Sequence, residues 1–279
     1  MDKSIIFEIY RFHLLPITTN QISLFENEIM TYEELVKKKN QFFDEIIQNL
    51  QNNKQDLPIE LYSSEGNSYL FRLANPKTTL IYRDFAEIPE KTEPYIYIIV
   101  NTDPQVQKIA ISRNTEAFSS STVSKNVLDK ILNKYLLPFS LSVEFEQMFQ
   151  SDTFWSYVRQ YDGRIKSINF EIIKPNLSKI SGTIKDTLKP LIESTNSHKT
   201  YLKLDAPKEG VLENINIENK LVDGLVSYSS EGGGNISMKI IGMSARVKTE
   251  NMTTTKKIDE LQIKGSPDQI IKLWKDIIG

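Results

Sequence analysis

Between Asp162 and Asn176 the chain alternates cleanly. Lys166, Ile168, Phe170, Ile172 and Lys174 fall on one side, and Ser167, Asn169 and Glu171 on the other. A period of two predicts a half-buried strand. Asp162-Gly163 supplies a turn before it, and Pro175 ends it because proline cannot donate to a ladder. Asn176 can then cap a following helix. Burying each Ile or Phe contributes roughly 1.5–3 kcal/mol, so a one-residue slip that exposed all three is disfavoured. A second alternating segment, 139–147, lies one short helix upstream. The two are expected to share a sheet and to organise the C-terminal half.

Ser4–Leu14 is patterned differently. Ile5, Phe7 and Ile9 lie on one side and Tyr10, Phe12 and Leu14 on the other, as in a strand covered on both faces. Thr31 to Glu34 spells a capping box ahead of a helix carrying Leu35, Phe42, Ile46 and Leu50. From Ile59 to Arg113, short strands separated by turns at 63–67, 75–77 and 102–105 predict an antiparallel meander. The small, polar run Thr115–Ser121 reads as a domain boundary, giving lobes 1–118 and 119–279.

Beyond it the pattern predicts a helix on Val123, Leu128, Ile131 and Tyr135, then the 139–147 strand and a helix on Phe154, Trp155 and Val158. After the 165–174 strand come a helix at 177–194, a strand at 201–205 and a helix at 213–228. Strands at 236–241, 243–249 and 261–264 precede a last helix opened by Ser266-Pro267. This order predicts an α+β fold. Its N-terminal part is an antiparallel β meander with one long helix. Its C-terminal part is a mixed sheet with packed helices, for which a ferredoxin-like core is the candidate topology.

Composition narrows the chemistry. The 279 residues include 39% hydrophobic and 25% charged side chains, which fits a globular chain. Cysteine is absent, which excludes thiolate nucleophiles, disulfides and Cys-ligated metals. No run of 18 apolar residues exists to span a bilayer. Glu8 and Arg11 interrupt the N-terminal apolar run, so it makes a poor signal peptide and a cytoplasmic location is expected. A net charge of −2 argues against indiscriminate polyanion binding but allows a local patch.

The candidate residues are few. Arg11 and His13 form a pair suited to phosphate contact or proton movement, set against the ordinary reading of a strand end in solvent. Glu144 and Glu146 share a strand face, and Glu171 lies on the polar face of the next strand. Were those strands neighbours, the three could hold Mg²⁺ or Mn²⁺. Asp162, Glu171 and Lys174 resemble a nuclease-type acid-acid-lysine set, but Glu171 and Lys174 fall on opposite faces of a strand. No His/Cys zinc spacing is present. The loop Ser229–Asn235 is glycine-rich, yet it follows a helix and precedes a strand. That is the reverse of a phosphate cradle, so it reads as a helix-ending turn. The segment 236–257 is basic, with Lys239, Arg246, Lys248, Lys256 and Lys257 against Glu250, a local net of +4. It is expected to form a hairpin that either contacts nucleic acid or uses lysines to protect a sheet edge.

The strand Arg164–Asn176, the segment Tyr201–Asp205 and the glycine turn leading into Asn235–Gly242 together carry a likeness. The region 120–260 resembles an uncharacterised bacterial family of unknown function encoded among mobile-element and phage-defence genes. The resemblance is one of element order and hydrophobic pattern. It implies a defence role and carries no catalytic residues. The expectation is therefore a cytoplasmic binding or sensing component, needing no cofactor, that recognises nucleic acid or the protein of a neighbouring gene. One alternative is a metal-dependent nuclease built on Glu144, Glu146 and Glu171, which would need Mg²⁺ or Mn²⁺. Another is a structural subunit of a larger complex, including a homo-oligomer.

Overall fold

The computed structural model describes residues 4–17, 22–25, 28–52, 57–174, 188–192, 194–195 and 197–279. It is an α+β structure that divides into two compact units, Met1–Phe145 with Thr255–Gly279, and Glu146–Thr254.

The first unit is built on a seven-stranded sheet. Its strands begin with β1 (Ser4–Pro16), followed by the short hairpin β2 (Ile22–Phe25) and β3 (Glu28–Met30), which lies outside the large sheet. Next come β4 (Ile59–Glu65), β5 (Ser68–Ala74), β6 (Lys77–Arg83), β7 (Ala86–Thr92), β8 (Tyr95–Asn101), β9 (Lys108–Ser112) and β10 (Leu141–Gln147). The sheet runs β10-β1-β9-β8-β5-β4, and β6 and β7 pair separately as a two-stranded sheet.

Helix α1 (Tyr32–Gln48) begins at the expected capping box: Thr31 accepts from the Glu34 amide, and Glu34 accepts from the Thr31 amide. It packs with α2 (Ser121–Leu136) on one face of the sheet, where Phe12, Phe43, Phe71, Ile98, Ile111 and Leu132 share a core. The terminal helix Pro267–Ile278 packs on β8 and β9 from the other side. There Lys108 Nζ donates to the Gly279 carbonyl at 2.9 Å. Helices on both faces explain why β1 reads as apolar on both sides.

The second unit holds α3 (Ser151–Gln160), β11 (Ile165–Ile173), β12 (Lys199–Asp205), the helix Lys220–Tyr228, β13 (Ile236–Ile240) and β14 (Val247–Lys248). Its sheet runs β12-β11-β13-β14. Helices cover one face, burying Phe154, Trp155, Ile168, Phe170, Val226 and Met238. The last strand, β15 (Thr255–Asp259), returns to the first unit and pairs with β1.

Several expectations are corrected. The boundary does not fall at 118/119. Ala117 and Phe118 are buried in the first core together with Leu128, Leu136, Leu141, Val143 and Phe145. A polar run marks a turn, and it cannot distinguish a turn inside a domain from a linker between two. The 139–147 and 165–174 segments are strands, but β10 and β11 belong to different sheets. The C-terminal sheet is antiparallel at every pairing rather than mixed. Its hairpin joins the last two strands, β13 and β14, through residues 241–246, whereas a ferredoxin-like β-α-β-β-α-β order places it in the middle. The helix expected at 213–228 starts only at Lys220, where Asn219 caps it. In place of the strand expected at 261–264 stands a helical turn, Glu260–Ile263, with Lys264 as its C-cap. Most of the helix expected at 177–194, with Pro175 and Asn176, lies outside the described residues.

Candidate nucleic-acid interface

Alternation in β11 sends Ile168, Phe170 and Ile172 into the core and leaves Ser167, Asn169 and Glu171 on the opposite face. Pairing fixes what joins them there. Glu171 sits opposite Tyr201, Asn169 opposite Lys203 and Ser167 opposite Asp205 on β12. On the other side, Ser237 lies opposite Asn169 and Lys239 opposite Ser167. Lys248 then sits opposite Ser237. One row therefore reads Lys203, Asn169, Ser237, Lys248 across four strands, about 14 Å from end to end at the usual strand spacing. Arg246 lies on the same face and donates from Nη2 to Ser167 Oγ at 3.3 Å. Tyr201, flanked by Lys199 and Lys203, is 62% exposed.

The charges of this face are loosely engaged. Lys203 pairs with Asp205 at 2.7 Å and Lys248 with Glu250 at 3.8 Å, all four side chains being about half exposed. Exposed pairs of this kind contribute under about 1 kcal/mol, so they hold these side chains only weakly. Lys199 is held more firmly, 3.1 Å from Glu171 Oε1 and 3.8 Å from Glu146 Oε1. Asn235 Nδ2 donates to the second oxygen of Glu146 at 3.1 Å.

At the end of the sheet where β11 begins and β12 and β13 stop, a cavity of about 430 Å³ opens. Lys166, Lys208 and Lys239 line it, with Glu209 as the one carboxylate among its lining residues. Lys166 Nζ donates to the carbonyls of Pro207, Lys208 and Gly210 at 2.5–2.8 Å. Lys239 Nζ likewise holds the carbonyls of Met243 and Ser244. Both ammonium groups are thus held by backbone carbonyls at the cavity rim.

The glycine-rich turn packs against the β11 backbone, where the Glu171 amide donates to the Asn235 carbonyl at 2.8 Å. Gly234 adopts φ +132°, and a Cβ there would fall 2.0 Å from the Glu171 carbonyl oxygen. Only glycine lets the turn approach β11 so closely. The turn is structural, as its place after a helix implies.

Of the sequence candidates, Lys239, Arg246, Lys248 and Glu171 meet on this face. Lys256 and Lys257 do not, because they lie on β15 in the first unit, paired opposite Phe7 and Ile6. There they are exposed lysines of an edge strand, the edge-protecting alternative. The expected 236–257 hairpin is thus split between two units. Arg11 and His13 are 5% and 2% exposed, so neither belongs to a surface. Covering β1 on both faces traps its polar side chains along with the apolar ones.

The carboxylate trio is also divided. Glu146 and Glu171 converge, but on the Lys199 ammonium, and Glu144 belongs to the first unit. Among the described residues no group of three or more potential ligands converges on a common point. No described helix is long and apolar enough to cross a membrane. Sequence reasoning missed Lys199, Tyr201, Lys203, Asn169, Ser237, Lys166 and Lys208. The signal was present in the alternation of Lys199, Tyr201, Lys203 and Asp205, but it names a site only once β12 is known to pair with β11. No family model matches the chain, and no curated protein matches it.

Proposed function

We propose that the Glu146–Thr254 unit binds single-stranded nucleic acid across the polar face of its sheet. The observation that carries this reading is an exposed tyrosine, Tyr201, flanked on its strand by Lys199 and Lys203, on a sheet face that also carries Arg246 and Lys248 toward its far edge and whose other face is buried. Aromatic platforms with flanking cations take bases by stacking and phosphates by charge, and they tolerate sequence. A duplex hides its base faces, so single strands are the favoured form. A defence role rests on the family resemblance alone.

The test is fluorescence anisotropy with labelled single-stranded DNA and RNA over a salt series. Affinity is expected to fall steeply as salt rises. Tyr201→Ala is expected to cost about 1–3 kcal/mol of binding with an unchanged melting temperature. Absence of binding at low salt, or full binding by Tyr201→Ala together with Lys203→Glu, overturns the proposal.

A further inference from the structure

Strands β5 and β8 pair with Ala74 opposite Tyr95. Strands β6 and β7 continue the same register, with Lys77 opposite Thr92 and Arg83 opposite Ala86. The four strands are one long ribbon, interrupted where Pro76 and Pro94 remove backbone donors. Past that point β6 and β7 pair only with each other among the described residues and form an arm.

Every residue of β7 is exposed, and in β6 only Ile81 is half-buried. Leu80 is 58% exposed, Tyr82 76%, and Phe85 at the tip fully so. An isolated two-stranded hairpin with apolar side chains on both faces is marginal in water and needs a cover. The tip is also built against local preference. Asp84 and Phe85 have φ of +51° and +63°, a two-residue loop that favours Asn-Gly. A bulky aromatic retained there points to a use outside the fold.

The two edges of the arm differ. β7 carries Glu87, Pro89, Glu90 and Lys91, the charges and proline that block strand addition. β6 presents Thr78-Thr79-Leu80-Ile81-Tyr82, which has no charge, no proline and no glycine. We propose that this edge pairs antiparallel with the same edge of a second copy, joining two arms into a four-stranded sheet.

The segment is self-complementary. Centred on Leu80, a two-fold axis sets Thr79 against the second copy's Ile81 and Thr78 against its Tyr82. Leu80, Tyr82 and Pro89 then share one face, while Ile81 and Ile88 share the other. Like charges meet only at the ends, Lys77 against Arg83, and Lys77 Nζ already donates to the Glu116 carbonyl at 2.7 Å. Lys77, Arg83 and Lys91 balance Asp84, Glu87 and Glu90, so the arm has no net charge to draw it to a polyanion or an anionic membrane. Charges on both sides of Phe85 oppose insertion into lipid. Two five-residue strands bury less than the roughly 1,200 Å² of a standard interface, so the dimer is weak and concentration-dependent. This inference does not rest on the nucleic-acid reading.

The chain has no cysteine, so one engineered thiol reports the contact unambiguously. Leu80→Cys, on the axis, is expected to form a disulfide-linked dimer under mild oxidation, and Glu90→Cys on the other edge is not. Sedimentation velocity over a wide concentration range is expected to show reversible dimerisation. Leu80→Lys should abolish it, as should replacing 76–93 by an Asn-Gly turn that keeps the β5–β8 register, both with unchanged circular dichroism. A chain monomeric at every concentration overturns the proposal. So does dimerisation that survives both variants, or equal cross-linking at 80 and 90.

Discussion

The two large sheets of this protein are built on opposite plans. In the seven-stranded sheet both faces are covered, and β1 buries even its polar side chains: Glu8, Arg11 and His13 are all under 6% exposed. Its polar groups answer one another inside the fold. Tyr10 donates to Glu8 at 2.5 Å, and Arg113 donates to the other Glu8 oxygen at 2.6 Å. Burial, with the Glu8 carboxylate beside it, pushes the Tyr10 hydroxyl far above its ordinary value, so it stays a proton donor. The four-stranded sheet buries one face and leaves the other lined with lysine, tyrosine, serine and asparagine. Charge in the first sheet is locked into structure. In the second, the Lys203–Asp205 and Lys248–Glu250 pairs stand half exposed, where solvent keeps them weak.

The contrast is sharpest where equal truncations are compared. Phe12 is fully buried and its ring lies 4.6 Å from that of Phe43. Phe12→Ala is expected to cost about 3–5 kcal/mol, read from the denaturant midpoint. Tyr201→Ala, which removes a ring of similar size from the polar face, should leave that midpoint within about 0.5 kcal/mol. A large loss at Tyr201 would mean that its ring supports the fold and would break the comparison.

Gly234→Ala probes the seam between the two faces of the smaller sheet. The added methyl meets the Glu171 carbonyl, so the turn must retreat from β11, at a cost of about 1–3 kcal/mol. Because Glu171 shares the face with Tyr201, oligonucleotide affinity should fall alongside stability.

The smallest effect is expected at Asp129 on α2. Partial burial raises its carboxyl above the ordinary range, opposed by Lys125 and the Asn133 side chain and assisted by Glu144. A folded-state value above the unfolded one means that the ionised form destabilises the fold near neutrality. That penalty disappears as pH falls through the folded value toward the unfolded value of about 3.9. Asp129→Asn should therefore raise the melting temperature slightly at pH 7 and leave it unchanged in acid. A loss of stability at pH 7 would show that the charge is paired rather than penalised.

Local physics was legible along the chain. The Thr31–Glu34 capping box, the Ser266-Pro267 helix start, the covered strand β1 and the half-buried strand β11 all follow from side-chain period and backbone chemistry within one element. Such signals are short-range, because a helix cap or an alternating strand is satisfied by neighbours a few residues away. Strand partnership is not local. The alternation of β10 and β11 states that each has an inner and an outer face, but nothing in either states which sheet it enters. For the same reason the polar faces of β11, β12 and β13 could be read singly, while their meeting around Tyr201 could not. Lys256 and Lys257 show the converse, since closeness in sequence to Lys239, Arg246 and Lys248 did not place them in the same unit. Residue chemistry along the chain determined which groups could bind a phosphate. Hydrogen-bonded pairing between residues as far apart as Ile165 and Ile240 decided which of them share a face.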